Sequence, residues 1–291
     1  MDQPGRATAQ AGLTRRDVVG GGLAAVLGCA VPAVRAQTPA TALERIRQRG
    51  RLIVAVYNDL PPFHAAGKGI EVELAAALAQ SLGVTLSLLP FNADENMNDD
   101  LRNVVWKGHY LGWGPADVML HVPVDRVLMQ GNPKVSIFSP YWRERIVIAR
   151  DLTKVPKLDS LEPLRGKPVA AAGQSLAGWL MLGADDGAYR DSLRTQLSQG
   201  VEAAELLRKG EVVAACGMSS ELESVLGRDT RFEITPLPVP RAPRDGWVVG
   251  MAVKQESADL AAALRDSMEQ LAGSGRLKTM FASAGLNWQR I

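Results

Sequence analysis

Leu52, Ile53, Val54, Ala55 and Val56 form an unbroken apolar run rich in branched residues, the pattern of a strand buried on both faces. Polar Tyr57, Asn58 and Asp59 end it. Pro61 and Pro62 are incompatible with both helix interior and sheet ladder, so Asn58 to Gly69 is expected to be a loop leaving the carboxyl end of the strand. Beyond Gly69, Val72, Leu74, Ala75, Leu78, Ala79 and Leu82 recur at helical spacing. Glu71 and Glu73 lie near the start, where the helix dipole favours anions, and Gly83 stops the pattern. The unit is strand, exposed loop, helix, and open α/β sheets take ligands at the carboxyl ends of their strands.

The same grammar recurs along the chain. Asp99 to Lys107 has a short helical pattern, Gly108 to Pro115 is rich in glycine and aromatics, and Ala116 to Val122 reads as a second buried strand stopped by Pro123. Ile146 to Ala149 is a further strand. Lys154 to Pro168 is a Pro-, Lys- and Leu-rich connection. Pro168 to Ala172 then starts a new strand that turns through Gly173, Gln174 and Ser175 into a helix reaching Leu182. A helix over Val201 to Lys209 precedes a strand over Val212 to Cys216. Pro236, Pro238, Pro240 and Pro243 exclude regular structure, after which Trp247 to Val253 is a strand and Ser257 to Met280 carries helical spacing.

The change of texture near residue 151 and the return near 248 predict two α/β lobes joined by two crossing segments, at about 148 to 152 and 246 to 250. The first lobe then spans 40–149 and 250–291, the second 150–249, and a ligand would sit between them.

The 291 residues, 46% hydrophobic and 22% charged, suit a folded chain. The net charge of +2 is concentrated in the first 36 residues, which hold Arg6, Arg15, Arg16 and Arg35 against Asp2 and Asp17. Taking four from 33 basic and two from 31 acidic residues leaves 29 of each. A neutral remainder without a basic block argues against nucleic acid or an anionic membrane surface as a partner. Thr14, Arg15 and Arg16, followed by the apolar run Val18 to Ala33 and by Val34, Arg35, Ala36 and Gln37, predict a twin-arginine export signal over 1–36, cut after Ala36. An alternative uses Val26, Leu27, Gly28 and Cys29 as a lipoprotein box that lipidates Cys29. The apolar run is shorter than the roughly 20 residues a bilayer requires, and no later segment spans one. A monomeric, soluble periplasmic protein is expected.

Cys216 has no internal partner once Cys29 is removed or lipidated, and reads as a small buried hydrophobe beside a strand end. Enzyme signatures are weak. Gly173 to Ala177 stops one residue short of G-x-S-x-G, and only His64, His109 and His121 are available as imidazole bases. The histidines lack metal spacing, and Asp94, Glu95, Asp99 and Asp100 lack calcium-loop spacing. No metal or cofactor is expected.

The order of these elements resembles the periplasmic solute-binding proteins of the amino-acid-binding type that serve ABC importers (bacterial extracellular solute-binding protein family 3). Arg51 to Gly83 is similar to the family's opening of strand, PPF loop and helix. Ala116, Asp117 and Val118 resemble its D-A strand, Ser139, Pro140 and Tyr141 its S-x-P-Y segment, and Val249 to Leu286 its closing segment with Gly275, Arg276, Leu277 and Phe281. The resemblance implies the bilobal type II binding-protein fold, a small polar ligand, most simply a carboxylate, and an ABC permease as partner.

It also implies ligand residues. Tyr57 stands at the end of the first strand. Phe63 matches a loop aromatic that packs over ligand or plugs the lobe edge. Arg126 resembles an arginine that pairs bidentately with a carboxylate, unless it is plain surface; the loop before it is about three residues shorter than the family's, with Leu120, His121 and Val122 replacing serines. Gly173, Gln174 and Ser175 match a turn whose N–H groups hold an anion or merely cap a helix. Where amino-acid binders place an aspartate for the ligand's ammonium, this chain has Met218 and Ser219, with Glu221 nearby read as helix surface. Burying an unpaired ammonium is costly, so a free α-amino acid fits poorly.

Finally, the expanded aromatic segment Val105 to Trp113, the D-V-x-x-x-V-P of Asp117 to Pro123 and the Pro140-Tyr141-Trp142 run are similar to a subgroup found with quinoprotein alcohol dehydrogenases. Trp106, Tyr110 and Trp113 would then meet a partner protein, or else pack on the lobe's flank. Some relatives of the fold are dehydratases, in which His64 or His121 with Arg126 would act as acid and base.

Overall fold

A computed structural model describes residues 39–291. The expected export signal and Cys29 lie outside the described residues. Helix α1 (Ala42–Arg49) opens on a capping box, Thr41 with Glu44, and closes on Gly50 at φ 73°. Strand β1 (Arg51–Tyr57) follows, then a two-residue ribbon, β2 (Asp59–Leu60) with β3 (His64–Ala65). The expected loop therefore does contain a ladder. It forms because Pro61 and Pro62 sit in the turn, where no ladder N–H is required.

Helix α2 (Ile70–Ser81) starts at Gly69, whose φ of 130° and close approach to Phe63 exclude a side chain: a Cβ there would lie 2.2 Å from the Phe63 carbonyl oxygen. Two of the helix's first N–H groups are satisfied by that loop, Ile70 to Pro62 and Glu71 to Phe63. Strand β4 (Thr85–Phe91) pairs in parallel with β1 over its whole length. The short α3 (Met97–Asp100) continues into a π-helical stretch, Leu101–Trp106, and β5 (Val118–Pro123) returns beside β1. After α4 (Arg126–Gly131), β6 (Val135–Glu144) leads straight into β7 (Ile146–Asp151).

The second half runs β8 (Val169–Ala171), α5 (Leu176–Gly183), β9 (Leu193–Arg194), α6 (Gly200–Arg208), β10 (Ala214–Met218), α7 (Ser219–Leu226), β11 (Phe232–Pro236) and β12 (Trp247–Lys254). The helical spacing expected over Ser257 to Met280 is carried by two helices, α8 (Ala258–Gly273) and α9 (Arg276–Ser283), separated where Gly275 adopts φ 75°.

Two five-stranded sheets result, ordered β4-β1-β5-β12-β6 and β11-β7-β10-β8-β9. Each has its own core, one built on Leu52, Val54, Leu74, Leu78 and Phe281, the other on Ile148, Val169, Met181 and Cys216. In the first sheet, successive parallel strands step from β1 outward to β4 and then to the opposite side at β5. In the second, β8 has β9 on one side and β10 on the other. Each sheet therefore has a switch point, and the crevice outside the carboxyl ends of β1 and β5, and of β8 and β10, is the position where such sheets take ligands. The chain leaves the first sheet at Arg145, earlier than the expected 148 to 152, and re-enters it at Trp247.

Candidate functional site

At the first switch point, Tyr57 ends β1 and donates from its hydroxyl to Asp100 Oδ2 at 2.7 Å. Burial, then the Asp100 charge, pushes that hydroxyl far above the ordinary tyrosine range, so it stays protonated. The carbonyls of Tyr57 and Asn58 both face His64 Nδ1, at 2.8 and 2.9 Å, which fixes the proton on that nitrogen. His64 is buried and its Nε2 has no hydrogen-bond partner among the described residues.

His121, on β5, has a left-handed backbone, φ 61°. Its N–H donates to Tyr141 Oη at 2.8 Å, and its Nδ1 lies 2.7 Å from Glu71 Oε1. Tyr141 donates to the same Glu71 oxygen at 2.5 Å. Glu71 is 0% exposed, so it is more than a helix-dipole anion: its carboxylate ties α2, β5 and β6 together. Phe63 is also 0% exposed, with its ring 4.5 Å from that of His121 and edges toward Trp142 and Phe281. This is the plug of the two readings for Phe63. Tyr57, Phe63 and His121 are thus brought together in one wall.

Across the junction, Glu144 ends β6 with 0% exposure and collects five donors. They are Ser219 Oγ at 2.6 Å, Ser220 Oγ, the Ser220 N–H at 3.1 Å, Trp142 Nε1 at 3.1 Å and the Arg145 N–H at 3.1 Å. The carboxylate sits at the positive end of α7, where the helix dipole stabilises it. Ser219 therefore holds the crossing segment, and its hydroxyl is engaged there. Glu221 is not helix surface: it is 7% exposed and accepts from the N–H groups of Gly200 at 2.8 Å and Met218 at 2.9 Å. Burial raises its carboxyl above the ordinary value, with Glu144's charge acting in the same direction, although both N–H donors pull it down. Two carboxylates thus occupy the neighbourhood where Met218 and Ser219 suggested none. Glu144 is saturated by the protein's own donors, and each Glu221 oxygen is held by one backbone N–H.

The remaining residues lie apart. Arg126 is exposed at the first position of α4, behind its cap Asp125, and makes no ion pair among the described residues. At the second switch point, Ser175 caps α5, accepting from Gly178 N–H at 3.1 Å and donating to the Ala172 carbonyl at 2.8 Å. The Gly173 N–H is taken by the Thr195 carbonyl, whose oxygen would lie 2.6 Å from a Cβ at that position. Gln174 is exposed. The two lips meet where Gln199 Nε2 reaches the Asp59 carbonyl at 3.4 Å. Of the aromatic segment, Trp113 and Trp106 pack on the first lobe, whereas Tyr110 is 87% and Leu111 69% exposed.

No protein-family model matches the chain, and no curated protein does so either. Solved structures do. An ancestral cationic amino acid solute-binding protein superposes with a TM-score of 0.64 at 18% identity, over 84% of this chain and 100% of its own. An amino acid ABC transporter substrate-binding protein from Streptococcus pneumoniae, bound to L-arginine, gives 0.57 at 21% identity, over 87% and 100%. An ancestral amino-acid-binding protein described as a precursor of cyclohexadienyl dehydratase gives 0.54 at 19%, over 85% and 100%. The chain thus has the α/β fold of bilobal periplasmic binding proteins. Among the described residues, no helix is long and apolar enough to cross a membrane.

Proposed function

We propose that the protein is the substrate-binding component of an ABC-type importer, exported through a twin-arginine signal and working in the periplasm. It closes over one small polar, carboxylate-bearing solute, which it hands to a permease. The observation that carries this reading is the pair of facing switch points on two sheets joined by two crossings, an arrangement suited to hinge closure. Arg126 is the carboxylate-binding group in this reading, without an ion pair among the described residues and close in sequence to the end of β5. A ligand ammonium is disfavoured, because Glu144 already has five donors of its own and Glu221 is buried against α6.

A thermal-shift panel of carboxylate metabolites tests it. One member should stabilise the protein, by about 2.7 kcal/mol at a hundredfold excess over its dissociation constant. Arg126→Ala should abolish that binding. Silence across the panel, together with co-purification of a quinoprotein dehydrogenase, would favour a second reading as an accessory of that enzyme. The exposed Tyr110 and Leu111, on a loop closed by His109–Trp113 backbone and stacking contacts, are the observation that favours this alternative.

A further inference from the structure

Both lobes contribute to a cavity of about 410 Å³ beside the first crossing. Arg143 comes from the end of β6 and Arg145 from the crossing itself. Glu223 comes from α7 in the second lobe, and Asn287, Gln289 and Arg290 come from the C-terminal segment packed on the first. Three arginines thus line the cavity with Glu223 and the exposed Ile291, and burial, with the Glu144 charge, raises the Glu223 carboxyl above its ordinary value although the Asn287 N–H and the Arg145 charge pull it down.

The arginines have little else to do. Among the described residues, the Arg145 side chain makes no hydrogen bond or ion pair, Arg143 donates only to the Asp245 carbonyl at 3.1 Å, and Arg290 is held by an exposed pair with Glu269. Exposed pairs of that kind contribute little and exchange readily. Asn287 and Gln289 add neutral polar residues to the lining. Forked guanidinium donors around a space of this size suit an anion with several oxygens better than a single carboxylate.

We propose that this cavity is a second binding site, distinct from the cleft at the switch points, for a small multivalent anion such as a tricarboxylate or phosphate. Its walls belong to both lobes, so an anion bound there is gripped from both sides of the crossing and fixes the angle between them. The crossing is tied to the second sheet by the Ser219 N–H, which donates to the Arg145 carbonyl at 2.9 Å, and Arg228 links the lobes directly by reaching the Ala282 carbonyl at 2.6 Å.

Isothermal titration of the full chain with citrate, and separately with inorganic phosphate, at low ionic strength tests the site. One anion should bind per chain, and the arm that binds identifies the oxyanion type. Combined Arg143→Gln and Arg145→Gln should weaken it roughly tenfold or more, and Glu223→Gln should tighten it. Arg126→Ala should leave it unchanged. Small-angle scattering should show a changed radius of gyration on binding in the wild type and none in the double variant. No binding of either anion by the folded wild type would overturn the proposal. So would loss of binding in Arg126→Ala with the double variant unaffected, because the anion would then occupy the cleft. Failure of the cleft reading leaves this result untouched, since no cleft residue enters it. Should the double variant fail to fold, Glu223→Gln alone decides: unchanged affinity places the anion elsewhere.

Discussion

The imidazole Nδ1 of His121 stands 2.7 Å from Oε1 of Glu71, and Tyr141 Oη donates to that same oxygen. The three side chains come from β5, α2 and β6, so one carboxylate sets how the wall of the first lobe is assembled. The left-handed backbone of His121 is the local cost of aiming its ring inward.

Tyr141→Phe is expected to destabilise the protein by about 1 to 3 kcal/mol, because it deprives a buried carboxylate of a donor and the His121 N–H of its acceptor. Glu71→Ala should cost more, since α2, β5 and β6 all lose the shared partner. In a urea-denaturation cycle, the double variant should fall short of the sum of the singles. Additive losses would mean that the two side chains do not act through one network.

The crossing segment makes a parallel case. Ser219 and Ser220 both donate to Glu144. Ser220→Ala removes a buried hydroxyl donor and should cost about 1 to 3 kcal/mol. Combining it with Ser219→Ala should weaken the hold between the crossing and α7 more than either alone. Limited proteolysis near Arg145 would report it, with faster cleavage in the double variant. An unchanged cleavage rate would show that the Trp142 and backbone donors suffice.

Much of this fold could be read from the chain, and the longer strands that could not be read share a cause. β1, β5, β10 and β12 are interior strands with mainly apolar runs, interrupted in β5 by His121. Of the unforeseen strands, the two-residue β2, β3 and β9 are too short to leave a pattern, while β4, β6 and β11 are sheet edges that each carry a proline, Pro90, Pro140 or Pro236, which an edge tolerates and an interior strand does not. The carboxylates escaped for a different reason. Glu144 lies 75 residues from the serine it binds, and Glu221 is buried only because α6 begins against it. A spacing rule along one element does not reveal such meetings. Glu71 did carry a signal, as an acid on a helix whose neighbours Ile70 and Leu74 face the core.

Cys216 lies in β10 with 0% exposure, and burial pushes its thiol far above the ordinary cysteine value. Ellman's reagent should therefore react with the native protein only as fast as the second sheet opens, and completely in denaturant. Rapid modification of the folded protein would contradict the packing of that strand.

The response to pH should carry two opposite contributions. Burial would raise the carboxyl of Asp151, but the hydroxyl and N–H of Thr153, at 2.6 and 3.0 Å, together with Arg231, more than offset this and leave it below its ordinary value. The folded state then binds that proton less tightly than the unfolded chain. Its stabilisation is complete above the unfolded value of about 3.9 and is lost as pH falls through the folded one. Glu221 is opposite in sign. Its folded value is raised, so between about 4.3 and that value the native state holds more protons than the unfolded chain, and stability declines as pH rises. Asp151→Asn should consequently cost stability at neutral pH, by an amount that disappears in strong acid. For Glu221→Gln, the wild type's advantage should be largest near pH 4 and shrink toward neutrality. Chemical denaturation at several pH values separates the two, and an advantage over Glu221→Gln that grows with pH would place that carboxylate in a stabilised, ionised state instead.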